Sequence, residues 1–129
     1  EIATLAGPAP KLVVVSVGND PASASYIKNK EKCALECGIK AEVMKLPGDA
    51  KEEDILGVVA GLNADPSVNG IIVQLPLPAH VNATRVTNSV DDAKDVDGLK
   101  PNNIGCTALN GQSPNFVACT PLGCLEMLK

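Results

Sequence analysis

An unbroken apolar segment near the start of the chain restricts the possible folds more than any other feature. Residues 12–17 read Leu-Val-Val-Val-Ser-Val, with no regular alternation of polar and apolar side chains. A strand of this kind is covered on both faces, which is typical of parallel sheets flanked by helices. Aromatic residues make up only 2% of the chain, so the core is expected to consist of Val, Ile, Leu and Ala. The segment therefore predicts an α/β protein.

A helix is predicted to follow this strand directly. Asp20 is a good cap for its first turn, and Pro21 is tolerated there because the missing N–H has no partner to lose. The helix is expected to run to about Cys37, where Gly38 supplies the left-handed residue that ends it. Residues 39–46 alternate well enough to predict a second strand.

A second helix and a third strand complete the pattern. Asp49 and Glu52 resemble a capping box, with Asp49 as the cap and Glu52 reaching back to it. The third strand is predicted over 71–75 and must end before Pro76, which cannot donate a ladder hydrogen bond. The buried stripe of the intervening helix is expected to be Ile55, Leu56, Val59 and Leu62.

The order strand, helix, strand, helix, strand predicts a three-layer α-β-α domain with a small, mostly parallel sheet. Ligands of such sheets bind outside the carboxyl ends of the strands. The helix that carries Tyr26 and Lys30 begins at that edge, and Gln74 lies at the end of the third strand. The sequence therefore places a candidate site there.

The remaining segments are less regular. Residues 1–10 resemble the end of a helix, with Ile2 and Leu5 at helical spacing, and residues 82–90 predict a short helix. Residues 91–118 show no clear periodicity. A last helix is predicted to open at Thr120-Pro121, with an apolar face formed by Leu122, Leu125 and Leu128.

Charge and composition argue against several classes of partner. The net charge is −4 and the basic residues are scattered, so neither nucleic acid nor an anionic membrane is expected to bind. No apolar run approaches the roughly 20 residues that span a bilayer. The first residues lack the features of a signal peptide.

The five cysteines are odd in number and form no Cys-x-x-Cys pair. This predicts reduced, mostly buried thiols and a cytoplasmic setting, with an organelle matrix as the alternative. Cys33 and Cys37 share a helix face, but their spacing is not that of a zinc site, and packed apolar side chains are the simpler interpretation. No metal site is predicted, since His80 is the single histidine.

Four side chains are candidates for chemistry, and each has a plain structural alternative. Tyr26 and Lys30 share a helix face, which a solvated surface would also explain. Gln74 either contacts a ligand or ties its strand to a loop. In an extended segment Asp95 and Asp97 point to opposite sides, one to a pocket and the other to solvent, or both make local turn bonds.

Several motifs in the right order resemble the bifunctional methylenetetrahydrofolate dehydrogenase/cyclohydrolase family. The resemblance covers about residues 10–129. It rests on Pro-Ala-Ser at 21–23, Tyr-x-x-x-Lys at 26–30, Leu-Asn-Ala-Asp at 62–65, Ile-Ile-Val-Gln-Leu-Pro-Leu at 71–77, Lys-Asp-Val-Asp-Gly at 94–98 and Cys-Thr-Pro-Leu-Gly at 119–123.

The resemblance implies a role for each matching site residue. Lys30 would transfer protons in the cyclohydrolase step and orient the one-carbon unit during hydride transfer. Gln74 would hydrogen-bond Lys30. Tyr26 would stack on the aminobenzoyl part of folate, and Asp97 would hold the N–H groups of the pterin. The remaining substrate contacts implied by the matching motifs are Ser23, Leu75 and Pro76.

The resemblance also implies a role in one-carbon metabolism and purine biosynthesis. Such enzymes oxidise 5,10-methylenetetrahydrofolate with NADP or NAD and hydrolyse the product to 10-formyltetrahydrofolate, usually as homodimers. Residues 1–129 would be the folate-binding catalytic domain, with 119–129 leading towards a Rossmann domain that this chain lacks. No Gly-x-Gly-x-x-Gly or P-loop motif occurs here, so no dinucleotide is expected to bind to this chain alone.

Two positions depart from the family pattern. Ala118 stands where a proline is usual, and Cys106 stands where an arginine usually follows the glycine. We expect the isolated chain to be inactive as a dehydrogenase and weak or inactive as a cyclohydrolase. The alternative hypothesis is a stand-alone, non-catalytic module for ligand binding or dimerisation.

Overall fold

The computed structural model describes residues 7–129, apart from the side chain of Ala22. The elements alternate as the sequence predicts. In chain order they are β1 (Lys11–Val17), α1 (Pro21–Glu36), β2 (Lys40–Leu46), α2 (Glu52–Ala64), β3 (Gly70–Val73), α3 (Ala83–Asn88), α4 (Pro101–Ala108) and α5 (Cys119–Met127).

The three strands form one parallel sheet with β1 in the centre, in the order β2-β1-β3. Val14 is paired with Val43 of β2 and with Ile72 of β3. Val13, Val14 and Val15 are almost completely buried. Full burial of such a side chain stabilises the folded state by about 1.5–3 kcal/mol. The central strand is therefore a stable support for the loops that follow it.

Helices cover both faces of this sheet. On one face, Val13 and Val15 pack with Ile55 and Val59 of α2 and Val86 of α3. On the other face, Val14 and Ile72 pack with Ile27 of α1. The predicted three-layer α-β-α arrangement is confirmed.

The start and end of α1 also follow the prediction. The Asp20 carboxylate accepts a hydrogen bond from the backbone N–H of Ser23 at 2.7 Å, and Pro21 occupies the first turn. Gly38 has a φ of 78°, a conformation that only glycine adopts without strain. Asp20 and Pro21 fix where α1 begins, and with it the position of Lys30, and Gly38 fixes where the helix ends.

The predicted capping box before α2 is wrong. The cap position of α2 is Lys51, which makes no side-chain cap bond, and Asp49 lies outside the helix. Glu52 does not reach back to the cap. Its carboxylate accepts hydrogen bonds from the backbone N–H of Asn82 and from Arg85, both at 2.6 Å. A charge-assisted contact between α2 and α3 replaces the local one.

The C-terminal part of the chain differs most from the sequence predictions. Helix α4 falls within the stretch that shows no periodicity. Helix α5 is capped at Ala118 rather than at Thr120, and it has no buried residue. Its leucines are exposed, so the predicted apolar face is not packed on the rest of the domain.

The prediction of mostly buried cysteines is also wrong. All five are free thiols, four of them are exposed, and Cys106 is half-buried. Cys33 and Cys37 lie on the outer side of α1, because Ile27 and Ala34 form its buried side. The helix predicted around Ile2 and Leu5 lies outside the described residues. Between residues 7 and 129, no helix is both long and apolar enough to cross a membrane.

Candidate active site

The candidate site lies at the carboxyl ends of β1 and β3. Tyr26 and Lys30 are on α1, which follows β1, and Gln74 comes directly after β3. Asp97 lies on a loop that continues from a single bridge between Ile71 and Asp95. Four side chains predicted from sequence therefore come from three separate segments at one edge of the sheet.

Lys30 and Gln74 are in direct contact. The Lys30 ammonium donates a hydrogen bond to Gln74 Oε1 at 3.2 Å. The Gln74 amide nitrogen donates to the carbonyl of Leu75 at 2.8 Å, which holds the side chain in place. An ammonium group is only a donor, so the amide oxygen is the atom that must face it. Lys30 has two further N–H groups that this contact leaves free.

Ser23 joins the start of α1 to the turn after β3. Its hydroxyl lies 2.8 Å from the Asp20 carboxylate and 3.4 Å from the carbonyl of Leu75. Ser23 itself is buried. The peptide bond between Leu75 and Pro76 is cis. In this structure Ser23 therefore connects the two segments that carry Lys30 and Gln74.

Tyr26 extends into solvent one helical turn before Lys30. The residue is 64% exposed. Since it is the single tyrosine and the core does not use it, one face of the ring is available for stacking against a flat ligand.

Asp97 is half-buried near Lys30. Burial raises the pKa of its carboxyl group, the Lys30 charge acts in the opposite direction, and the neighbouring Asp95 raises the pKa further. Both carboxylates contribute to the lining of a small cavity of about 20 Å³ beneath the loop. A carboxylate in this position is suited to accept hydrogen bonds from a ligand rich in N–H donors.

The sequence left open which of Asp95 and Asp97 faces solvent. The structure shows that it is not Asp95. Asp95 is buried, and its carboxylate accepts hydrogen bonds from Asn103 Nδ2 at 2.8 Å and from the backbone N–H of Lys100 at 3.0 Å. Asn103 was not among the predicted site residues, because the sequence of α4 shows no periodic signal. Pro101, a residue favoured at the first position of a helix, was the available clue.

Three larger grooves of the described residues do not include this group. One of about 630 Å³ includes Lys11 and Lys40 at the opposite edge of the sheet. One of about 460 Å³ includes Leu35 near the end of α1, and one of about 400 Å³ includes Lys28 on the same helix. None of the three includes Lys30, Gln74 or Asp97. We place the candidate site at those three residues because polar groups from separate segments converge there.

The start of α1 does not fit a dinucleotide. In α/β nucleotide-binding domains the pyrophosphate is held at this helix N-terminus by backbone N–H groups. Here the Asp20 carboxylate occupies the position, accepting from the N–H and the hydroxyl of Ser23, and hydrogen bonding lowers its pKa. A fixed negative charge at that point would repel a phosphate. Among residues 7–129 no cluster of three His, Cys, Asp or Glu side chains is placed for a metal ion.

Comparison with known proteins identifies the family of this chain. Residues 1–97 match the family model described as the catalytic domain of tetrahydrofolate dehydrogenase/cyclohydrolase. The chain is 45% identical over 129 residues to the bifunctional protein FolD of Prosthecochloris aestuarii, covering all of this chain and 44% of that protein. It is 48% identical over 122 residues to the chloroplastic FolD 4 of Arabidopsis thaliana, covering 95% of this chain and 34% of that protein.

A solved structure shows the same fold. The structure of the FolD protein of Trypanosoma brucei, complexed with NADP cofactor and an inhibitor, superposes with a TM-score of 0.87 at 31% identity. The match covers 92% of this chain and 40% of that one. Fold and site define an α/β domain with a group of polar side chains at the carboxyl ends of parallel strands. The chain belongs to the tetrahydrofolate dehydrogenase/cyclohydrolase family and spans less than half the length of these relatives.

Proposed function

We propose that residues 1–129 form the folate-binding catalytic domain of a bifunctional enzyme of one-carbon metabolism. Its two reactions are oxidation of 5,10-methylenetetrahydrofolate to the methenyl compound and hydrolysis of that compound to 10-formyltetrahydrofolate. The observation that carries the proposal is the contact between Lys30 and Gln74 at 3.2 Å, with Asp97 close enough to Lys30 for their charges to interact.

In the hydrolysis, water adds to the methenyl carbon and the bond from that carbon to N5 breaks. One proton of the water ends on N5 and the other is released to solvent. A side chain that carries a proton between these positions accelerates such a step by about 10²–10⁴-fold. Lys30 is our candidate for this role. Gln74 holds one of its N–H groups and leaves two to face the substrate.

We assign substrate binding to the groups around Lys30. The Asp97 carboxylate would accept hydrogen bonds from the N–H groups of the pterin. These bonds would be stronger than bonds between neutral groups because the acceptor is charged. The exposed ring of Tyr26 would stack on the aminobenzoyl group. Ser23, Leu75 and Pro76 would form the wall between them, at the turn that Ser23 connects to α1.

We infer that the nicotinamide cofactor, NADP or NAD, is held outside this chain in the whole protein, since the Asp20 carboxylate occupies the helix start after β1 where a pyrophosphate would bind. A relative is named as a complex with NADP. The dehydrogenase role of these 129 residues is therefore to hold and orient the folate. Homodimer assembly stays a prediction of the resemblance, and a cytoplasmic setting stays a prediction from the cysteine pattern.

The test is a titration of the 129-residue chain with tetrahydrofolate, monitored by isothermal titration calorimetry and by NMR. We expect saturable binding that Asp97→Asn weakens by about tenfold, which corresponds to about 1.4 kcal/mol. Asp91→Asn, an exposed aspartate six residues earlier, is the control and should bind as the wild type. Binding that is equal in all three proteins would contradict the role of Asp97. Tight binding together with no catalytic role for Lys30 would favour the non-catalytic module.

A further inference from the structure

The loop that carries Asp97, residues 94–100, is fixed at its start by Lys94. The backbone carbonyl of Lys94 accepts from Ile71 N in β3 at 2.8 Å. Its ammonium group donates to three backbone carbonyls at the end of α2, those of Leu62, Asn63 and Asp65, at 2.7–3.0 Å. These carbonyls have no partner within the helix, so Lys94 satisfies them and holds the loop to α2.

The middle of the same loop is fixed by a buried polar pair. Asp95 is 5% exposed and Asn103, on α4, is 1% exposed. Asn103 Nδ2 donates to Asp95 Oδ2 at 2.8 Å, and Asn103 Oδ1 accepts from the backbone N–H of Asn115 at 3.0 Å and that of Phe116 at 3.4 Å. Buried polar groups with all their bonds made specify one arrangement of the segments that they join.

The loop packs closely against the segment that Asn103 holds. Gly98 has a φ of 64°, and a Cβ atom on it would lie 2.7 Å from the backbone nitrogen of Ala118. Only glycine fits there. The N–H of Gly98 donates to the carbonyl of Asp95 at 3.0 Å, closing the turn around Asp97. Asp97 is therefore flanked on both sides by residues with fixed positions.

Asp97 itself has no such support. Within residues 7–129 no group donates a hydrogen bond to its carboxylate. The position of its carboxylate therefore depends on the backbone of the loop. Bonds and contacts of Lys94, Asp95 and Gly98 hold that backbone in place. This leaves the acceptor oxygens of Asp97 available to a ligand, and it leaves their placement to Asp95 and Asn103.

We propose that Asp95 and Asn103 are positioning residues, which hold the Asp97 carboxylate towards the Lys30 site and so set the affinity for the N–H edge of a reduced pterin. This inference rests on the function proposed above. Neither residue touches the substrate in this account. They act through the loop, so their loss should matter only where Asp97 is present to be positioned.

The first test needs no ligand. The chain is labelled with ¹³C at aspartate carboxyl groups, and the Asp97 carboxyl is titrated by NMR. The charged groups around it are Lys30 on α1, Asp95 in the loop and Lys100, which lines the same cavity. In Asn103→Ala the loop loosens, Asp97 gains solvent, and its pKa should fall towards the ordinary value.

Asn102→Ala is the matched control for this titration. Asn102 is the adjacent asparagine on the same helix, but it is exposed and bonds to Asp92 instead. It should leave the Asp97 titration unchanged. An unchanged Asp97 titration in Asn103→Ala, or an equal change in the control, would overturn the proposal.

The second test is a double-mutant cycle on tetrahydrofolate binding to the 129-residue chain. Asn103→Ala should weaken binding about tenfold when Asp97 is present and less than about twofold in the Asp97→Asn background. A structural role alone would weaken binding equally in both backgrounds, which would contradict positioning. Thermal denaturation of each variant confirms folding, and Asn103→Ser, which keeps a polar group, replaces Asn103→Ala if that variant does not fold.

The outcomes separate the two proposals. If Asp97→Asn alone leaves tetrahydrofolate binding unchanged, or if the wild-type chain binds none, the assignment of substrate binding to Asp97 in this chain fails. The ligand-free titration still decides whether Asn103 positions Asp97. If Asp97→Asn weakens binding and Asn103→Ala does not, the positioning role fails and the proposed function stands.

Discussion

Lys30 Nζ and Gln74 Oε1 lie 3.2 Å apart although the two residues are 44 positions apart in the sequence. The parallel sheet brings them together, because α1 begins where β1 ends and Gln74 follows β3, which is paired with β1. A small displacement of either segment would break this contact.

Replacement of Lys30 by methionine should abolish hydrolysis of methenyltetrahydrofolate while the protein stays folded. The assay uses a chimera in which the remaining length of the Prosthecochloris aestuarii relative follows this chain. We expect a loss of about 10²–10⁴-fold, the range for removal of a proton-transfer group. Lys32→Met, an exposed lysine on the same helix, is the control and should retain activity. Unchanged turnover in Lys30→Met would remove Lys30 from the mechanism.

Replacement of Gln74 by leucine should act through Lys30. The change removes the acceptor of the Lys30 hydrogen bond at similar side-chain size, so we expect slower hydrolysis in the chimera. In the Lys30→Met background the same change should have almost no further effect, because the two residues act as a pair. Independent, additive losses in the double variant would show that Gln74 has a different role.

Asp97 should make the stability of the domain depend on pH. Burial raises the pKa of its carboxyl group, so over the range just above the ordinary value the folded state binds more protons than the unfolded state. The contribution of this group to stability is present below the ordinary pKa and is lost as pH rises through the folded value.

Asp97→Asn should therefore raise the melting temperature at pH 7, and the difference from the wild type should shrink below about pH 4. Thermal denaturation across this pH range measures it. A variant that is less stable than the wild type at pH 7 would show that the ionised carboxylate is stabilised by contacts other than those described.

Glu52 should make the stability of the domain depend on pH in the opposite direction. Hydrogen bonds from the N–H of Asn82 and from Arg85 lower its pKa, so its contribution is present above the ordinary value and is lost as pH falls through the folded value. Glu52→Gln should lower the melting temperature at pH 7 more than at acid pH. Glu53→Gln, whose side chain is far more exposed, is the control and should change it less. Equal effects would rule out a special role for the Glu52 contact.

The strands and the first helix could be predicted because local signals determine them. The apolar run at 12–17 has only one stable environment, and Asp20, Pro21 and Gly38 set the limits of α1 through bonds to near neighbours. For the same reason, the topology alone predicted that Lys30 and Gln74 would meet at the carboxyl ends of the strands.

Two of the failures, the capping box before α2 and the missed helix α4, share a physical cause, which is bonding to partners outside the element itself. Glu52 bonds to Arg85 rather than to its own helix start. Helix α4 is short and polar, and its one buried residue, Asn103, bonds to Asp95. Such pairs leave no periodic trace in the sequence.

The most direct test of the account is the binding map of tetrahydrofolate on the ¹⁵N-labelled chain. We predict amide shifts concentrated at residues 26–30, 74–75 and 95–99, the three segments that the sheet brings together, and in Asp97→Asn these shifts should need about tenfold more tetrahydrofolate to reach saturation. Shifts confined to the groove that includes Lys11 and Lys40, at the opposite edge of the sheet, would contradict the account.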